Sequence, residues 1–363
     1  MHRDMRLADA DEIVPITGRR LTLPAGPIFH LQRADQAGYE IGAFRRWAGY
    51  KNLGSDEATL GLAHFQHVLS FAASGDTGRT GVHGHFAHVH IVIPTSGRGI
   101  FSYDGVETEA VPGLVITQHG GTIHDQFQYS YAATSHDDNC RTPQSLEPTP
   151  AGAEMRSFGF LELFVPQTLA DVEIIAPEAV TLEDQHTAWE HPYHTAGARF
   201  DLQPADSPGA AYRPVAGRDD LEARDAGTWE PTGGLVATWI IRPASTPATT
   251  DSPVSLGLPG EAGCVDILYM VSGSARFQRE GGDDVLMSAG DTLTCTPGLV
   301  GEPFGPTPDM RLLRFSIAAK ATQLRERTAD EIKRLEALGP RIITRRDVRP
   351  AGDARPVNCL RDL

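Results

Sequence analysis

The chain has 363 residues, 40% hydrophobic and 22% charged, which is the composition of a globular protein long enough for two domains rather than of a disordered segment. A formal net charge of -15 excludes the basic surface that nucleic acid or an anionic membrane would require. No apolar run reaches bilayer-spanning length, the charged start Met1-His2-Arg3-Asp4 is unlike a secretory leader, and Cys140, Cys264, Cys295 and Cys359 are too scattered for a zinc knuckle or disulfide framework, so a cytoplasmic protein with reduced thiols is expected.

Residues 1–60, with Pro15, Pro24, Pro27 and the aromatic-cationic patch Phe44-Arg45-Arg46-Trp47, are expected to form an irregular arm laid over a barrel or a partner subunit. Residues 65–73 read as a strand, turned by Ser74-Gly75-Asp76-Thr77-Gly78. His83 and His85 follow, two apart, which on an extended strand sets both imidazoles on one face; that is a metal-ligand spacing. Residues 89–94, 99–103 and 114–117 read as three more strands, parted by turns at Gly97, Asp104-Gly105 and Pro112-Gly113. His124 arrives 39 residues after His85, and those turns allow hairpins to bring it back beside the first histidines. Short strands with regular turns predict an antiparallel sandwich or barrel.

Residues 132–154 are polar, with Pro143, Pro148 and Pro150, and are expected to form a long loop near the metal end or a lid. Residues 155–166 alternate well enough to be the strand that closes the first barrel. The stretch 167–215 reads as a connector; its cluster His186, His191 and His194 favours a surface or interface role over metal binding. Strand pattern returns over 235–241, 264–271 and 274–278, and 321–338 predicts a helix with Leu324, Ile332, Leu335 and Leu338 on its apolar side, stopped by Gly339-Pro340. Nine of the 14 histidines fall between His64 and His136 and none after His194, so histidine chemistry belongs to the first half.

These residues resemble the two motifs of the cupin superfamily. The first runs Gly, five residues, His-x-His, three or four residues, Glu, six residues, Gly; the chain has His83-x-His85, four residues, His90, six residues, Gly97. The second appears as Gly113, five residues, His119-x-Gly121, two residues, His124, three residues, Gln128, with His119 at the usual proline and Gln128 at the usual asparagine. Tyr269 to Gly273 and Ala289 to Gly298 resemble parts of the same motifs, without histidines around Pro259 to Glu261 or Gly301 to Glu302. The resemblance implies an all-β fold of two cupin (double-stranded β-helix, jelly-roll) barrels with a short C-terminal helix. The expected division is an arm over 1–60, a metal-binding barrel over 61–166, a connector over 167–215, a degenerate metal-free barrel over 216–320, and a helix and tail over 321–363.

The ligands implied are His83, His85 and His124, with His90 at the glutamate position. On one continuous strand His90 has the opposite parity to His83 and His85, so it joins them through a bulge or else faces away. Imidazoles suit iron, manganese, nickel, zinc and copper alike, and a partly hydrated iron(II) is the first choice of divalent metal ion. Cupins lacking the glutamate include ring-cleaving dioxygenases acting on gentisate, salicylate and hydroxynaphthoate and a diketone-cleaving enzyme; the two-barrel layout with an N-terminal metal triad is similar to the gentisate type. That implies an oxidoreductase cleaving a C–C bond of a small substrate with dioxygen. Because neutral imidazoles leave the ion its full charge, the substrate is expected to be anionic and chelating. A metal-dependent lyase, isomerase or decarboxylase and a non-enzymatic small-molecule binder stay open. His119, Gln126, Gln128 and Tyr103 are the candidate catalytic residues, with Asp125 and Arg156 behind them. A homo-oligomer is expected, and neither nucleic acid nor membrane as a partner.

Overall fold

The computed structural model describes residues 23–41, 48–70, 83–85, 87–103, 106–119, 124–130, 158–166, 172–175, 200–203, 211–244, 252–324 and 341–344. In chain order the strands are β1 Phe29–Gln32, β2 Glu40–Ile41, β3 Ala48–Asn52, β4 His64–Ser70, β5 His83–His85, β6 Val89–Ser96, β7 Arg98–Tyr103, β8 Val106–Ala110, β9 Val115–His119, β10 His124–Ser130, β11 Phe158–Val165 and β12 Val172–Ile175. They continue as β13 Phe200–Gln203, β14 Arg213–Pro214, β15 Leu221–Asp225, β16 Val236–Pro243, β17 Gly263–Ser272, β18 Ser274–Arg279, β19 Val285–Ser288, β20 Thr292–Cys295, β21 Val300–Phe304, β22 Arg311–Ala318 and β23 Arg341–Thr344. Helix among the described residues is limited to one α turn, Ser55–Ala58, and one 3-10 turn, Ala319–Gln323. Residues 325–338 of the expected C-terminal helix lie outside the described residues, as do the 132–154 loop, Arg156 and the His186, His191 and His194 cluster. No helix of the described residues is long and apolar enough to cross a membrane.

In the first barrel a seven-stranded sheet, β13-β9-β6-β11-β4-β3-β2, faces a six-stranded one, β23-β12-β5-β10-β7-β8. Val68, Val92, Ile116, Phe158 and Phe160 from the larger sheet and Phe101 and Tyr103 from the smaller fill the space between them. The second barrel repeats the plan: a seven-stranded sheet, β1-β20-β17-β22-β16-β15-β14, and a three-stranded one, β19-β18-β21, enclose Trp239, Leu268, Met270, Leu312, Phe277 and Met287. The expected all-β, two-barrel fold is the fold observed.

The two large sheets pack back to back. Phe65, Ile91 and Leu163 share one buried cluster with Tyr269, Phe315 and Ile317, and the Phe65 ring stands edge-on to Phe315 at 5.2 Å and to Tyr269 at 5.7 Å. Central strands are therefore covered on both faces, which is why β11 reads Phe-Gly-Phe-Leu-Glu-Leu-Phe-Val and is buried nearly throughout. By contrast β18, with one face toward water, alternates buried and exposed positions.

The repeat aligns residue by residue. β6 lies between β9 and β11 as β17 lies between β20 and β22. Gly97 (φ 68°) and Gly273 (φ 67°) take the chain from the large sheet into the small one in each half. His90 pairs with Gln118 and Phe164, and Asp266 with Cys295 and Ser316; Glu162 pairs with Val92, and Arg314 with Leu268. Asp266 therefore occupies the place of His90, and Arg314 that of Glu162.

Each large sheet ends on a strand from a segment that precedes the other barrel. β1, near the N-terminus, pairs with β20 (Phe29 opposite Cys295), and β13, ahead of the second barrel, pairs with β9 (Phe200 opposite Gln118). Beyond β1 the join is fixed by Asp291, whose Oδ2 accepts from Arg33 Nη1 at 2.8 Å and whose Oδ1 accepts from the Ala34 amide at 2.9 Å.

Candidate metal centre

Antiparallel register brings the motif histidines together. His124 on β10 is the partner of His83 on β5 and, on its other side, of Tyr103 on β7. Directly paired residues share a face, and position 85 has the parity of position 83, so positions 83, 85 and 124 fall on one face of the six-stranded sheet. That face is the barrel interior, because Tyr103 on it is 1% exposed within the core. His124 is buried, its ring stacked on Tyr103 at 5.5 Å and 28°. Gln118 Nε2 donates to the Tyr103 hydroxyl at 3.3 Å, and burial first, then the Glu162 charge, pushes the phenol well above its ordinary pKa, so Tyr103 is a neutral hydrogen-bonding group.

His90 joins from the opposite sheet. Its ring faces that of His124 across the barrel at 6.2 Å and 52°. The expectation that His90 needs a bulge to reach the others is corrected here: β5 and β6 belong to different sheets, so parity along one strand does not govern the contact. His90 instead looks across the barrel at His124. It is 2% exposed, lies flat on Phe164 (4.1 Å, 13°), and its Nε2 is 3.1 Å from Glu162 Oε1.

A polar chain runs behind His90 through the barrel wall. Gln66 Nε2 donates to Glu162 Oε2 at 2.6 Å, Gln66 Oε1 is 3.1 Å from His64 Nε2, and His64 Nδ1 is 3.6 Å from Asp56 Oδ2. Burial opposes ionisation of Glu162, but the hydrogen bond and charge of His90, the hydrogen bond from Gln66 and the charge of His124 outweigh it and hold the carboxyl below its ordinary pKa. Burial likewise opposes Asp56, yet the nearby His64 imidazole and its charge, and the hydrogen bond from Asn52, hold it down at about 2. None of this chain was among the motif residues. The signal that could have found Glu162 is a lone carboxylate inside an otherwise apolar strand covered on both faces.

The other candidates are placed as follows. Position 126 pairs with Phe101 on the interior face; position 128 falls at the register shift between Phe127 and Tyr129; position 125 pairs with Ser102 on the opposite face. Position 119 pairs with Val89, on the side of the large sheet turned toward the second barrel. Register also brings two unexpected residues to the histidine face: Glu173 opposite His85, and Arg341 opposite Ile175, which is itself opposite His83. Among the described residues no group of three metal-binding side chains is assembled, the side chains at 83 and 85 lying outside them. The buried His90 and His124, with the register of 83 and 85, fit a divalent metal ion.

At the corresponding place in the second barrel the polar groups close on themselves. Arg314 Nη2 is 3.0 Å from Asp266 Oδ2, its Nη1 2.9 Å from Glu302 Oε1, and Ser316 Oγ donates to Asp266 Oδ1 at 2.6 Å.

Neither a family model nor a curated protein matches the chain. Solved structures do: oxalate decarboxylase from Bacillus subtilis (11% identity, TM-score 0.47, 81% of this chain and 77% of that one), protein Ylba from E. coli (9%, 0.45, 84% and 95%) and GK1651 from Geobacillus kaustophilus (13%, 0.43, 80% and 95%). At these identities and TM-scores the likeness says nothing about activity.

Proposed function

We propose that the chain is a metal-dependent bicupin enzyme, a non-haem iron(II) dioxygenase that cleaves a C–C bond of a small anionic, chelating substrate such as a hydroxy-aromatic acid or a diketone. The observation that carries the reading is the register of positions 83, 85 and 124 on one interior face, with the buried His90 facing His124 from the other sheet. Iron would supply Lewis-acid attraction for chelating oxygens and the redox chemistry that dioxygen requires. The chain's own residues bind and orient: the four histidines hold the ion, the Tyr103 hydroxyl lies within this face as a neutral hydrogen-bonding group, and Phe101, Phe158 and Phe160 make a dry floor beneath it. An anionic substrate is supported by the neutral imidazoles, which would leave the ion its full charge, while register puts both Glu173 and Arg341 on the same face. Gln126 and Gln128 stay candidates for substrate contact, whereas position 119 falls on the face turned toward the second barrel. Dioxygen is the second substrate, and the assembly is a homo-oligomer.

Elemental analysis of protein purified without added metal, combined with dioxygen uptake on salicylate-like and diketone-like compounds, tests this. One iron per chain with dioxygen consumption is expected. Turnover without dioxygen on manganese, nickel or zinc would replace the dioxygenase with a lyase, isomerase or decarboxylase. Protein free of metal that still binds small molecules after loss of the histidines would make it a binding cupin.

A further inference from the structure

The residue at position 90 is a histidine where the resemblance expects a carboxylate, yet a carboxylate stands directly behind it. Glu162 Oε1 is 3.1 Å from His90 Nε2, and its other oxygen receives the Gln66 amide at 2.6 Å. A carboxylate can only accept, so the ring hydrogen of His90 sits on Nε2 and the lone pair on Nδ1. For the same reason Gln66 must turn its amide nitrogen to Glu162, which leaves its oxygen toward His64 at 3.1 Å. Phe164, parallel to the ring at 4.1 Å, fixes its plane. Position and tautomer of His90 are thus set before any ion arrives.

The second barrel gives an independent comparison. Its matching pair, Asp266 and Arg314, has the same two strand positions with donor and acceptor exchanged, and both members are consumed by each other and by Ser316 and Glu302. In the first barrel the acceptor is on β11 and the donor is an imidazole, which keeps a second nitrogen after making the bond.

We propose that Glu162 is a positioning residue of the metal centre, holding His90 through Nε2 so that Nδ1 serves as a ligand and gains basicity from the carboxylate behind it. This rests on the metal reading above. The test uses the full chain and divalent cobalt, whose visible absorption reports its ligands. Wild type is expected to bind one cobalt per chain, and Glu162→Gln to bind it roughly 10- to 100-fold more weakly with a changed spectrum. Adding Glu162→Gln to His90→Ala should cause no further loss, since the effect passes through His90. Thermal unfolding of the metal-free variants checks folding, and should Glu162→Gln fail to fold, Glu162→Asp, which withdraws the carboxylate by one methylene, is read by the same two criteria. Unchanged affinity and spectrum in a folded variant, or an equal loss in the His90→Ala background, overturns the role of Glu162 and leaves the metal centre standing. A wild type that takes up no cobalt overturns both.

Discussion

An imidazole buried among aromatic rings has two nitrogens to satisfy, and at His90 one of them is committed to Glu162. The Glu162 carboxylate therefore already has a ring N–H as its donor here, which the motif alone does not suggest. His90→Glu, which restores the residue usual in the family, would set two carboxylates about 3 Å apart behind the centre, and an uncompensated buried charge costs about 3–5 kcal/mol. Metal-free His90→Glu is expected to unfold at a clearly lower temperature than wild type, whereas His90→Gln, which still offers an N–H, should lose much less; thermal unfolding of the two compares them. His83→Ala, His85→Ala and His124→Ala are each expected to abolish stoichiometric metal with the fold retained, since Tyr103, Phe101 and Phe160 keep the core beneath them; full occupancy by elemental analysis would strike that residue from the ligand set. His67, on the other face of β4, titrates differently. Burial and then the Lys51 charge lower it to about 4, with Tyr39 Oη 2.6 Å from Nδ1 and Thr95 Oγ1 3.1 Å from Nε2. A base whose folded pKa lies below its unfolded value takes up a proton on unfolding, so stability falls as pH drops from about 6.5 to about 4, by roughly 3 kcal/mol over the window. Urea unfolding at pH 7 and pH 4 should show that slope in wild type and a shallower one in His67→Gln.

Among the elements, those with strong local patterning were legible. The strand read over 264–271 is β17, Gly263–Ser272, and that read over 274–278 is β18, Ser274–Arg279, because β-branched and aromatic residues flank a glycine turn. The pairing of position 83 with position 124 was legible from the turns between them. What escaped was whatever depends on distant partners. β1 and β13 have four residues each and no periodicity of their own, and β1 is defined by β20, more than 260 residues away. Glu162 was hidden because β11 was read as one face of an alternating strand, while both its faces are covered; the placement of His90 was hidden because β5 and β6 part into different sheets. The glycine turn between β17 and β18 gives a prediction at this scale. A Cβ on Gly273, at φ 67°, would lie 2.7 Å from the Met310 amide nitrogen and nearer still to Thr307 Oγ1. Gly273→Ala is expected to cost about 1–3 kcal/mol in backbone strain alone, read as a lower melting temperature of the metal-free protein.

At the scale of the molecule, the shared cluster of Phe65, Ile91, Leu163, Tyr269 and Phe315 ties the barrels into one cooperative body. A single unfolding transition is expected by calorimetry, and removal of residues 1–33 should weaken the second barrel although the cut lies at the far end of the chain, because it strips β1 from β20. Metal content is expected to be one ion per chain, since Asp266 is already taken up by Arg314 and Ser316. The exchanged strands also bear on how the protein is made. As the chain leaves the ribosome, β1 emerges long before β20, its partner, and the histidine-bearing barrel stays open along β9 until β13, and along β12 until β23, has been synthesised. Neither half can be finished from its own stretch of message. A gene cut between residues 176 and 199 would therefore yield a first fragment short of β13 and β23 and a second short of β1, and both recover their edges only when the two are present in the same cell.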